Sequence, residues 1–189
     1  MIKKGDKTKQ FIIDTSEKLF AQKGYSSVTM KDICEVCNLS RGGLYRYFSS
    51  TKEIFIAMLD KDINDNRLLL EQSLSKKVST KAIFLSFLIQ EKNAVFSPNK
   101  GLYFAIHEFA FVELDQRSYL DKRLKESLEI LGALFKYGQE TAEFKKFDIE
   151  VVANHIIYFF YSLKTSSSVL TITDEMIEKQ INLIKELVI

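Results

Sequence analysis

Apolar residues recur at helical spacing along nearly the whole chain. Phe11, Ile12, Thr15, Leu19 and Phe20 share one face and predict a helix from about Thr8 to Lys23. Gly24 is placed to stop it as a left-handed C-terminal residue. Thr29 opens a second helix, Met30 to Cys37, because its hydroxyl can accept from the first turn's amides while Asp32 caps back. Asn38, one of the few non-glycine residues that tolerates positive φ, then turns the chain. Ser40 caps a third helix, Arg41 to Phe48, roughly 12 Å long at ~1.5 Å per residue. The polar break Ser49-Ser50-Thr51 precedes a long helix from Lys52 to about Leu74. Further helical patterns cover about Thr80 to Phe96, Lys100 to Leu114, Ser118 to Glu143, Asp148 to Ser168 and Asp174 to Val188.

The pattern therefore predicts an all-α protein of about nine helices: a three-helix N-terminal helix-turn-helix head and a six-helix C-terminal body. The expected boundary separates residues 1–49 from residues 50–189. Composition agrees. One proline and seven glycines in 189 residues are too few for a turn-rich β-sandwich, and 46% hydrophobic with 28% charged residues is ordinary for a globular chain. No internal repeat or low-complexity segment interrupts it. No signal peptide and no membrane span are read, so the expected location is the cytoplasm.

Charge changes the picture more. The net value is only +2, but residues 1–52 hold ten basic and five acidic side chains, net +5, and the remainder is net −3. A basic head on a mildly acidic body suggests a polyanion partner for the head alone. The head also contains the informative segment, Thr29 to Phe48. Two short capped helices joined by Asn38-Leu39-Ser40 make a helix-turn-helix, whose second helix can lie in a major groove. Ile33, Val36 and Leu39 are expected to pack the two helices together, and Leu44 and Phe48 to turn inward. Arg41, Gly42, Tyr45 and Arg46 then face outward. Arginine can bond guanine edges or phosphates, tyrosine can reach a phosphate or a thymine methyl, and glycine permits close backbone approach.

The run Leu19-Phe20, Gly24-Tyr25, Val28-Thr29-Met30, Ile33, Leu39-Ser40, Gly42, Leu44-Tyr45, Tyr47-Phe48, Ser50 and Ile54-Phe55 resembles the N-terminal domain of TetR-family regulators. The likeness covers about a quarter of the chain; the rest matches in length, helix number and a very apolar C-terminal pair. The resemblance implies a third helix that reads DNA, a body that binds a small ligand, and a four-helix bundle between subunits built from the last two helices. Thr29 and Ser40 resemble phosphate-contacting caps, and Arg41, Gly42, Tyr45, Arg46 and Tyr47 resemble groove and backbone contacts. Lys31, Gly43 and Lys52 complete the expected DNA surface. Two positions depart from the family: Asn38 stands where a turn glycine is usual, and Ser50-Thr51-Lys52 puts the lysine one place late.

Other residues admit two readings. Cys34 and Cys37 have C-x-x-C spacing, which admits a redox or metal reading, yet a zinc site would need two further ligands, and small buried structural thiols are the favoured reading. Tyr103, Phe104, His107, Phe111, Tyr158 and Tyr161 suit either a core or an aromatic-lined ligand pocket. Lys3, Lys4, Lys7 and Lys9 form an arm that either adds DNA contacts or is a solvated tail. The helices near 148–168 and 174–188 are apolar around much of their circumference, which one chain could hardly bury, so a homodimer is expected. Nothing resembles a nucleophile with its base, a phosphate-cradling loop or a metal triad, so no enzyme, cofactor or metal is expected. The expectation is a repressor that binds a palindromic operator as a homodimer and is released by an apolar or aromatic effector. The alternative is a dimeric small-molecule-binding or scaffold protein without specific DNA binding.

Overall fold

The computed structural model describes residues 4–189, so Lys3 of the basic arm lies outside the described residues. Among the described residues nine α-helices follow one another: α1 (Lys4–Lys23), α2 (Met30–Cys37), α3 (Arg41–Tyr45), α4 (Thr51–Ser75), α5 (Thr80–Val95), α6 (Gly101–Val112), α7 (Arg117–Glu140), α8 (Ile149–Ser166) and α9 (Asp174–Val188). A single 3-10 turn, Leu114–Gln116, precedes α7, and no strand occurs among the described residues. The all-α expectation holds. Two boundaries differ from the periodicity. The first helix begins four residues earlier, so the basic arm from Lys4 onward is helical, and the third is shorter because Arg46 and Tyr47 form a turn rather than continuing it.

The chain forms two compact units. The first is the chain through Asp62 together with Gly101–Asp115. It holds α1 to α3, the first half of α4, and α6. The sequence boundary after residue 49 marks where the motif ends, whereas packing carries this unit further. The reason is burial: α1 to α3 and the start of α4 need a further ring to enclose Phe20, Tyr25 and Phe55. Phe109 of α6 completes the set, with ring centroids 4.9 Å from Tyr25 and 5.0 Å from Phe55. Phe20 lies 4.9 Å edge-on from Phe55, and all four aromatic residues are buried. The approach of α6 to α1 depends on Gly101, where a Cβ would stand 2.2 Å from the carbonyl oxygen of Ala21. Any side chain there would force the helices apart.

The second unit comprises Ile63–Lys100 and Gln116–Ile189. Helices α5, α7, α8 and α9 surround a core that includes Phe84, Leu88, Leu131, Phe135, Ile156 and Phe160. The Phe144 ring seats against Gly138, where a Cβ would come within 2.1 Å. Lys164 of α8 pairs with Glu91 of α5 at 2.7 Å, both largely shielded from water. Lys92 bridges α5 to Asp174 and Glu178 of α9. Helix α9 turns Ile177, Ile181, Ile184 and Val188 inward, at the i, i+4, i+7 and i+11 spacing of one helical face. Met176, Leu183 and Leu187 of α9, with Val151, Tyr158 and Tyr161 of α8, are exposed apolar positions.

Candidate nucleic-acid interface

The helix-turn-helix is set by three local devices. Gly24 ends α1 at φ 79°, a left-handed conformation that glycine adopts without penalty. Thr29 caps α2 as a full capping box: its hydroxyl accepts from the Asp32 amide at 3.2 Å, and its own amide donates to the Asp32 carboxylate at 2.8 Å. Lys23 pairs with the same carboxylate at 2.7 Å. Bonds from Lys23 and Thr29 hold the Asp32 carboxyl well below the usual carboxylate range. Asn38 then takes φ 51°, ψ 45°, and its amide and that of Leu39 satisfy the last carbonyls of α2. Ser40 starts α3 by accepting from the Gly43 amide at 3.1 Å.

These devices fix what faces in and what faces out. Ile33, Leu44 and Phe48 are buried. Val36 is not: it is 45% exposed, so it does not join the helix–helix contact expected of it. The buried partner on α2 is Cys37, four residues from Ile33 and on the same face; Val36 lies about 100° around the helix from Cys37. Leu39 is half-buried. Thr29, Lys31, Ser40, Arg41, Gly42, Tyr45 and Arg46 are exposed, and Gly43 and Tyr47 are partly so. The Arg41 guanidinium stacks over the Tyr45 ring, 5.9 Å from its centroid, so the two side chains stand as one unit.

The two glycines of α3 differ in purpose. A Cβ on Gly43 would meet Ser40 Oγ at 3.2 Å and disturb the cap, whereas one on Gly42 would meet nothing within 4 Å. Internal packing therefore gives no reason for glycine at 42, and its bare backbone is presented outward.

Lys52 is placed differently from its neighbours. Its ammonium is held by Glu113 at 2.9 Å and Asp115 at 2.8 Å, within the same unit. Its pKa is raised by Asp115 first and Glu113 second. Glu113 also accepts from the Tyr25 hydroxyl at 2.6 Å, and Glu108 accepts from the Tyr25 amide at 2.6 Å. This polar set at the end of α6 was invisible in the sequence, since its partners lie up to 88 residues apart and no local motif announces them.

The cysteines and the aromatic candidates fall as follows. Cys34 is half-buried and Cys37 buried; burial pushes the Cys37 thiol up, with a bond to Thr15 acting the other way. No cluster of three metal-binding side chains exists among the described residues. Tyr103, Phe104, His107 and Phe111 lie on α6 in the first unit, with Phe111 75% exposed and Phe104 also exposed. Tyr158 and Tyr161 lie on α8 in the second unit, both exposed. No helix among the described residues is long and apolar enough to cross a membrane.

A capped five-residue helix, set by a tight turn on a buried platform and showing with the turn after it two arginines, a tyrosine and bare backbone to solvent, defines a helix-turn-helix DNA-binding protein. Residues 12–58 match the sequence profile of bacterial regulatory proteins of the tetR family. The chain is 29% identical over 142 residues to the uncharacterized HTH-type transcriptional regulator YfiR of Bacillus subtilis, spanning 74% of this chain and 69% of that one. Its fold is shared with the reduced form of Escherichia coli NemR (TM-score 0.79, 19% identical, 97% of this chain and 98% of that one). It is shared too with AibR, solved with isovaleryl coenzyme A and operator DNA (TM-score 0.62, 19% identical, 95% and 97%). Residues 12–58 thus match the DNA-binding part of tetR-family regulators, and the whole chain has the fold of solved structures that include such regulators.

One prediction follows from the open space at Gly42. Gly42→Ala should leave the melting temperature unchanged or raised, because alanine favours the helix by up to ~1 kcal/mol. Affinity for a cognate duplex should nevertheless fall, by about ten-fold if ~1.4 kcal/mol of close backbone contact is lost. Calorimetric melting and a binding titration check the two halves; unchanged affinity would show that nothing approaches this backbone.

Proposed function

We propose that this protein is a ligand-responsive repressor that binds a palindromic operator as a homodimer. The observation that carries the reading is the outward face of α3 and the turn after it, where Arg41, Gly42, Tyr45 and Arg46 are all exposed next to a capped helix start. Thr29, Lys31, Ser40, Gly43 and Tyr47 stand around it as backbone and phosphate contacts. Lys52 is left out of the contact set, because Glu113 and Asp115 already match its charge.

Dimerisation is supported by the exposed apolar side chains of α8 and α9, which lie on helices whose other faces are committed to the core. A two-fold pair would place two α3 helices about one DNA turn, roughly 34 Å, apart. The effector is an apolar or aromatic small molecule, the class that the exposed aromatic residues of each unit accept, and AibR is a fold neighbour solved with both an acyl-coenzyme A and operator DNA. Such a ligand acts by binding one head spacing better than the other. Helix α4 is the natural transmitter, since it starts in the first unit and ends in the second. The protein works in the cytoplasm, on DNA, and catalyses no reaction.

The test is selection of duplexes from a random pool, followed by titration of the winners across salt. Enrichment of a palindrome with half-sites one turn apart, bound with a steep salt dependence, is the expected result. A pool in which no sequence is enriched would leave a binding protein without operator function.

A further inference from the structure

The cations of the first unit divide by what each one touches. Lys23 pairs with Asp32, Lys31 with Glu35, and Lys61 with Asp14. Lys52, between Glu113 and Asp115, sits in a cluster whose formal charge is −1 and which would repel a phosphate. Lys9 on α1 is exposed and takes a different partner: its ammonium stands over the ring of Phe48, 5.3 Å from the centroid. An aromatic face holds a cation without neutralising it, at about 0.5–1 kcal/mol for an exposed site.

The location matters. Phe48 directly follows Arg46 and Tyr47, and Ser49 and Ser50 after it lead into α4. A charge fixed over Phe48 therefore stands where the recognition segment ends and α4 begins. The carboxylate of this corner, Glu53, bonds the amide and hydroxyl of Ser49 at 2.7 and 2.9 Å; it feels the Lys9 charge only at longer range, as the smallest of the causes that lower its pKa. Because the ring already restricts the lysine's rotamers, less entropy is lost when it meets an anion.

We propose that Lys9, held over Phe48, is a DNA phosphate contact at the C-terminal end of the recognition segment, and that it takes the place Lys52 would otherwise fill. This rests on the reading of α3 as the helix that meets the duplex. Lys9 fixes how deeply and in which register α3 sits without reading bases, so its contribution is uniform across sequences. The lysine most easily taken from sequence for this duty, Lys52, instead ties α4 to the end of α6.

The experiment uses the full-length protein and a duplex selected by the unmodified chain. The salt dependence of binding is measured for the parent and for Lys9→Gln, Lys9→Arg and Lys52→Gln. Lys9→Gln should reduce the slope of log affinity against log salt by about one and weaken operator variants equally; Lys9→Arg should restore the slope. Lys52→Gln should leave the slope unchanged. A single methylphosphonate walked along the duplex gives a second readout: one position should weaken the parent but not Lys9→Gln. If the parent binds its duplex and Lys9→Gln keeps the full slope, or Lys52→Gln loses it instead, the proposal is overturned. If the parent selects no duplex, the DNA-binding reading itself fails, a result separate from either.

Discussion

Alanine in place of Phe55 is expected to destabilise the first unit by about 3–5 kcal/mol, the usual cost of emptying a fully buried aromatic site. Phe55 is 0% exposed and touches Phe20, Tyr25 and Phe109, each with its ring centroid within 5.0 Å. Those rings come from α1, the α1–α2 connection and α6, so one cavity loosens three segments at once. The edge-on geometry of the Phe20 and Tyr25 pairs adds about 0.5–1.5 kcal/mol each beyond burial. Chemical denaturation with the helical signal as readout measures the loss. Phe111→Ala, at a site 75% exposed, is the control and should change stability by less than about 0.5 kcal/mol. Equal effects from the two would mean that the aromatic set is not the core of this unit.

The second large effect concerns recognition. Arg46→Ala is expected to cost about 1–3 kcal/mol of operator binding, roughly 5- to 150-fold, with the helical content and oligomeric state of the parent. The side chain is exposed, so its removal leaves no cavity, and the backbone bond from its amide to Gly42 is untouched. Tyr45→Ala should weaken binding too, and by two routes: it removes a contact and also the surface on which Arg41 rests. A base-reading role predicts relaxed discrimination at one position of each half-site, whereas a phosphate role predicts equal losses on all sequences. Titration against a panel of single-base variants separates them. Parent-like affinity in both variants would remove α3 from the interface.

Much of the fold is legible in the sequence, and the reasons are local. Caps and left-handed residues act within a few positions, so Thr29 with Asp32, Asn38, Ser40 and Gly24 all behave as their chemistry dictates. Periodicity located the longer helices because each carries apolar positions at helical spacing, whereas α3, with Leu44 its one buried side chain, was found through its Ser40 cap. What periodicity cannot resolve is which of two adjacent apolar positions wins burial. Val36 lost to Cys37 because an eight-residue helix has room for only one inward pair, and a cysteine four residues from Ile33 already filled it. The candidate site shows the same division. The outward set from Arg41 to Arg46 was legible, since an amphipathic helix shows its polar side plainly. The fate of Lys52 was not, because it turns on Glu113 and Asp115, about sixty residues away beyond the end of α6. Lys9 was likewise lost in a run of lysines until Phe48 appeared beneath it.

The membership of α6 in the first unit bears on protein engineering. Regulators of this kind invite transplantation, with the DNA-reading portion of one grafted onto the sensor of another. A graft cut after the helix-turn-helix, or even at residue 62, would carry Tyr25 and Phe55 away from Phe109, and Gly24 and Tyr25 away from Glu108. The recipient's own sixth helix would have to supply the missing ring, the carboxylates and a bare glycine opposite Ala21. A chimera that also imports residues 101–115 inherits a matched set, so two separate stretches of chain form the transferable cassette.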